Sequence, residues 1–152
     1  MKGRRKKALA VAPALAALVA VAGHAESPDA LDTGIVTADA APVETFDWGQ
    51  LVTYFAGDSY AATDSLSAVA VIKPGMEIHP PHVHSEEEYL MVLEGEGTWS
   101  VEGRESPARA GDMLYAAPWD EHGISNTGTT PLKFVVFKWN PKPVAPMPAP
   151  GK

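Results

Sequence analysis

The sequence predicts an all-β protein built as one barrel or sandwich, and three observations predict it. Apolar and alternating runs are short, spanning residues 51–55, 66–72, 89–93, 98–101, 113–116 and 132–139. Between them stand turn formers: Gly57-Asp58, Pro74-Gly75, Gly95-Glu96-Gly97, Gly103, Gly111-Asp112 and Asn126-Thr127-Gly128. Short strands punctuated in this way are the pattern of antiparallel sheets. From residue 26 onward no window of twelve or more residues carries a helical period.

Taken in order, the chain of 152 residues opens with residues 1–25, which have the three parts of a secretory signal. Lys2, Arg4, Arg5, Lys6 and Lys7 form a basic start, residues 8–23 are almost wholly Ala, Val and Leu, and Gly23-His24-Ala25 places small residues before a cut at Glu26. The apolar run is short for a membrane span, although an uncleaved anchor is the other reading of it. Arg4-Arg5 leaves twin-arginine and general export both open. Residues 26–45, rich in Ala, Asp, Pro and Thr, read as a linker. Residues 46–139 hold the predicted strands and form one domain of ordinary size. Residues 140–152, with Pro141, Pro143, Pro146, Pro148 and Pro150, read as an extended tail outside the barrel or on it.

Charge excludes one class of partner. The first 25 residues hold five of the twelve Lys and Arg and none of the nineteen Asp and Glu. What remains is seven basic against nineteen acidic residues, a formal net charge of −12. No phosphate-neutralising surface for nucleic acid is expected from that balance. There is no Cys, so neither a disulfide nor a thiolate metal site is available.

Four histidines follow the signal: His79, His82, His84 and His122. In His82-Val83-His84, a strand would point both imidazoles to one face. Ser85-Glu86-Glu87-Glu88 follows at once. Glu88 and Glu86 keep the parity of the two histidines and Glu87 does not. Glu86 and Glu87 read as a solvated acidic turn.

His82-x-His84-x-x-x-Glu88, followed after six residues by Gly95, resembles the first motif of the cupin superfamily. Pro74-Gly75 before it supports the resemblance, with six residues rather than five between Gly75 and His82. The stretch Gly111-Asp112 through Pro118, His122 and Asn126 resembles the second motif, with Trp119 where a turn Gly is usual. The resemblance covers roughly residues 65 to 139. It implies a double-stranded β-helix, or jelly-roll barrel, with His82, His84, Glu88 and His122 as metal ligands at its mouth. Three imidazoles and a carboxylate suit one divalent transition metal ion and do not choose strongly among Fe, Mn, Ni, Cu and Zn.

What the resemblance implies for function is coarser. A metal-dependent enzyme acting on a small organic substrate is the first reading, with dioxygenase-type chemistry favoured because the ligand set is similar to non-haem iron oxygenase sites. Isomerase, decarboxylase and lyase reactions are alternatives. One cupin lyase group carries Tyr two residues beyond the ligand Glu, but here Leu90 stands there, so that activity is not carried over. A non-catalytic barrel binding a sugar or organic acid is the second class. A transcription regulator is disfavoured, since the chain has no room for a helix-turn-helix domain. Tyr115 and His79 are the candidate catalytic side chains, with Trp99, Trp119, Glu77 and Glu121 as further candidates near the mouth. Lys73, Arg104, Arg109, Lys133 and Lys138 are too few to expect a phosphorylated substrate. Pairing of two barrels through edge strands is open to the family fold.

Overall fold

A computed structural model describes residues 30–145. The expected signal, the start of the linker and the tail from Pro146 lie outside the described residues.

Nine antiparallel strands carry the domain: β1 (Val43–Phe46), β2 (Gly49–Gly57), β3 (Ala62–Ile72), β4 (Glu87–Glu94), β5 (Glu96–Val101), β6 (Arg104–Arg109), β7 (Met113–Ala116), β8 (His122–Ser125) and β9 (Leu132–Pro141). They form a six-stranded sheet, in the order β1-β2-β3-β9-β4-β7, and a three-stranded sheet, β6-β5-β8. All six expected runs are strands. The structure adds β1, which straddles the expected boundary between linker and domain, together with β6 and β8.

Alternation explains which face is inside. On β9, Leu132, Phe134 and Val136 are buried, while Phe137 between them in parity is 42% exposed. On β4, Glu88, Leu90 and Val92 are buried. These residues meet Ala68, Ala70 and Ile72 of β3 and, from the other sheet, Trp99, Ala108 and Ile124. The core is thus one apolar layer between two inward faces, the arrangement that period-two patterning predicts. Trp99 belongs to this layer and not to the cavity described below.

Two glycines set where the sheets meet. Gly95 has φ +82°, and a Cβ on it would strike the Pro131 carbonyl. A Cβ on Gly97 would strike the Ser125 carbonyl. No side chain fits where backbones approach this closely. Asn126, also buried, donates through Nδ2 to the carbonyls of Ile72 (2.8 Å) and Thr130 (2.9 Å) and accepts from Gly128 N (3.0 Å). It ties the end of β8 to the end of β3.

Beyond β9 the chain stays on the barrel as far as it is described. Lys142 N donates to Ala61 O, Lys142 Nζ pairs with Asp58 at 3.1 Å, and Tyr60 Oη donates to Ala145 O.

Candidate metal centre and the cavity it opens into

The His82-Val83-His84 segment is extended but lies in no strand of the two sheets. It is held by one antiparallel bridge, His82 to His122, with each backbone N–H donating to the other residue's carbonyl at 3.0 Å. That bridge brings the first motif onto β8. Trp119 N donates to His84 O at 2.8 Å and holds the other end. Trp119 has φ +70°, so it takes the left-handed conformation usually left to Gly. Val83, between the two histidines, is 51% exposed, as period two requires.

Ligand atoms of His82, His84 and His122 lie within 4.8 Å of one another. Glu88, on β4, reaches the same point: its Oε2 is 2.9 Å from His84 Nε2 and 3.8 Å from His122 Nε2. His122 and Glu88 are buried, at 1% and 7% exposure.

The ring tautomers are set by the backbone. Nδ1 of His82 faces His122 O at 3.3 Å, Nδ1 of His84 faces Glu86 O at 3.2 Å, and Nδ1 of His122 faces Asp120 O at 2.9 Å. A ring nitrogen facing a carbonyl carries the proton, so each neutral ring turns the lone pair of Nε2 elsewhere. For His84 that lone pair faces a carboxylate oxygen at 2.9 Å, a contact that needs either a proton on Nε2 or a metal cation between the two atoms. For His122, Nε2 is buried with no hydrogen-bond partner. Buried polar atoms are rarely left so. Both observations fit a divalent ion, which the three Nε2 atoms and the Glu88 carboxylate would hold.

Electrostatics follow from the cluster. Burial works to raise the Glu88 carboxyl, but the imidazoles of His122 and His84 overcome it, so the group sits below the ordinary carboxylate value. The Glu88 carboxylate in turn pushes His122 above the ordinary histidine value, against its burial. Burial pulls His82 down, aided by repulsion from His79, His122 and His84.

Glu86 departs from expectation. It is not a solvated turn residue: its side chain is 15% exposed, Oε2 lies 3.4 Å from His84 Nδ1, and Oε1 accepts from Lys138 Nζ at 3.3 Å. A carboxylate behind a ligand imidazole orients it and raises its basicity. The even parity of Glu86 with His82 and His84 was the signal.

A cavity of about 180 Å³ opens from the cluster into the barrel. Its wall is mainly apolar, with Leu51, Leu66, Ile78, Phe134 and Val136 around His82, Glu88 and His122. His79 stands at its edge, exposed, with its ring 3.9 Å from that of His82. Lys138 also lines it.

Tyr115 is not brought to the site. It lies on the outer face of the six-stranded sheet, 48% exposed, with its ring 4.9 Å from Tyr89. Its neighbour Ala116 takes the inward place beside Glu88. The expectation of a catalytic Tyr115 is corrected by this parity. Trp119, 67% exposed, is likewise outside the cavity lining.

Residues 68–138 match the family described as "Cupin domain". These residues of the barrel therefore carry a cupin domain. A gentisate 1,2-dioxygenase from Streptomyces sp is 33% identical over 82 residues, which cover 53% of this chain and 23% of that one. An oxalate-binding protein from Thermotoga maritima is 33% identical over 64 residues, covering 42% of this chain and 53% of that one. The chain thus spans about half or less of the length of these two relatives. Among solved structures, a predicted oxalate decarboxylase from Thermotoga maritima aligns with a TM-score of 0.59 at 25% identity, covering 70% of this chain and 98% of that one.

Proposed function

We propose that the chain is an exported, metal-dependent enzyme that transforms a small organic molecule inside the barrel, with dioxygen-dependent oxidation the favoured reaction. One observation carries the reading. Three imidazoles and a carboxylate converge where His122 Nε2 is buried and unpartnered, and the point they share opens into an apolar cavity. A first-row divalent ion bound there would supply Lewis acidity and, if redox-active, dioxygen activation. The chain does the rest. Backbone carbonyls fix the imidazoles and Glu86 orients His84. Leu66, Phe134 and Val136 keep water from the substrate, and 180 Å³ limits it to a small molecule.

The test is elemental analysis of protein purified from its exported compartment, beside Glu88→Ala and His122→Ala. About one equivalent of a first-row metal, lost in both variants, is expected, and oxygen uptake with a panel of small organic substrates then follows. A folded protein without metal would sink the reading. Export is tested by the mature N-terminus: Glu26 is expected, and an intact Met1 in the membrane fraction would contradict it.

The second reading is a metal-dependent barrel that binds a small organic acid without changing it. The similarity to an oxalate-binding protein favours this reading. A ligand recovered chemically unchanged after long incubation with metal-loaded protein would decide for it. Decarboxylation, isomerisation and elimination stay as alternatives within the enzyme class, the first supported by the resemblance to a predicted oxalate decarboxylase.

A further inference from the structure

We infer that Lys138 selects the substrate, and that the cavity takes a small monoanion, an organic carboxylate with an apolar body. The inference rests on the metal-centre reading above and deepens it.

Lys138 has the inward parity of Leu132, Phe134 and Val136 on β9. Its side chain is partly withdrawn from water, at 29% exposure, so an anionic partner offsets the lost hydration. Among the described residues it is the only Lys or Arg lining the cavity. In register it lies opposite Glu88 of β4 and Leu66 of β3. Paired strands are about 4.8 Å apart. The Lys138 backbone is therefore in the same layer of the barrel as Glu88, and its ammonium is held by Glu86, the carboxylate behind His84.

Glu86 Oε1, at 3.3 Å, is its one hydrogen-bond acceptor among the described residues. An ammonium has three N–H donors, so two are free for a ligand. Glu86 also fixes where the ammonium stands, since its other oxygen faces His84.

Charge balance says which ligand. A divalent ion with three neutral imidazoles and the Glu88 carboxylate leaves one net positive charge. Lys138 and Glu86 cancel. In an apolar wall an unbalanced charge is expensive, so a single negative charge on the ligand is the complement. Its carboxylate meets the Lys138 ammonium, and its apolar body lies along Leu66, Ile78 and Phe134.

The experiment uses the full mature protein, with metal content measured on the same sample. Calorimetry compares benzoate with benzamide and butyrate with butyramide. Each carboxylate is expected to bind about tenfold or more tighter than its amide, the difference of one charge-assisted hydrogen bond. Lys138→Met is expected to abolish that preference with metal content and melting temperature kept, and Lys138→Arg to retain it. A preference that survives Lys138→Met overturns the assignment, because the metal alone would then hold the carboxylate. So does a native protein with no preference. If Lys138→Met does not fold, Glu86→Gln decides: it removes the internal counter-ion, and carboxylate binding should tighten, whereas unchanged or weaker binding overturns the proposal. Native protein that is metal-free as purified and still prefers carboxylates through Lys138 would separate the two readings, sinking the metal centre and keeping Lys138.

Discussion

His122 and Glu88 form a pair whose sign can be worked out. Folding raises His122 above its ordinary value of 6.5 and lowers Glu88 below its ordinary 4.5. A raised histidine contributes stability that is full below pH 6.5 and lost as pH rises through the folded value. A lowered carboxylate contributes stability that is full above 4.5 and lost as pH falls through its folded value. In metal-free protein the pair is therefore worth most between those two values. Glu88→Gln should flatten this part of the pH–stability curve, measured by urea unfolding across that window; an unchanged profile would refute the coupling. Metal reverses the demand, because it binds the imidazoles without their protons. Binding should weaken as pH falls through the range of His122, whose proton the fold holds above the ordinary histidine value. At this scale the convergence of His82, His84, Glu88 and His122 was legible, because parity pairs the first two and the resemblance to the two cupin motifs adds Glu88 and His122. The sequence told Glu86 and Tyr115 poorly. Whether a carboxylate after a ligand pair turns to solvent depends on Lys138, fifty-two residues on, and nothing local to Tyr115 says which face of β7 is inside.

Elements show the same division. Strands with a buried stripe were legible, and β7 has the predicted bounds. Two of the three strands that were not legible, β1 and β6, lack that stripe. β1 is exposed along its whole length, and β6 buries only Ala108 and contains Pro107. Edge strands escape a pattern reading because their partners, not their side chains, make them strands. β8, four residues long, is recognisable only as the piece that carries His122. What places β8 is testable. Gly97→Ala would drive a methyl group into the Ser125 carbonyl. Overpacking of this kind costs about 1–3 kcal/mol. The loss should appear in chemical denaturation together with weaker metal binding, since β5 and β8 move apart. Asn126→Ala removes three hydrogen bonds, one buried and two partly buried, that fix the chain just after β8. At about 1 kcal/mol each, roughly 3 kcal/mol of stability should go. A loss well under 1 kcal/mol would mean that water replaces the amide.

Across the whole molecule the metal ligands divide between the two sheets. Glu88 belongs to the six-stranded sheet and His122 to the three-stranded one, with His82 and His84 on the segment that joins β3 to β4. A bound ion is thus a cross-link across the barrel, and Cys-free chains have no covalent substitute for it. Unfolded chain cannot hold four ligands in this geometry, so metal binding adds to folding stability by mass action. At free metal about one hundred times its dissociation constant the gain is about 2.7 kcal/mol. For a domain of this size that is a shift of roughly 10 °C in melting temperature. Chelation should lower the melting temperature of the native protein by about that amount, and replenishing the metal should restore it. His122→Ala should melt at one temperature with or without chelator, because removing one of the four ligands weakens binding until the ion adds no measurable stability. If native protein shown to have lost its metal melts unchanged, the ion serves chemistry alone and the two sheets are held by the core of Phe134, Ile72 and Trp99 without it.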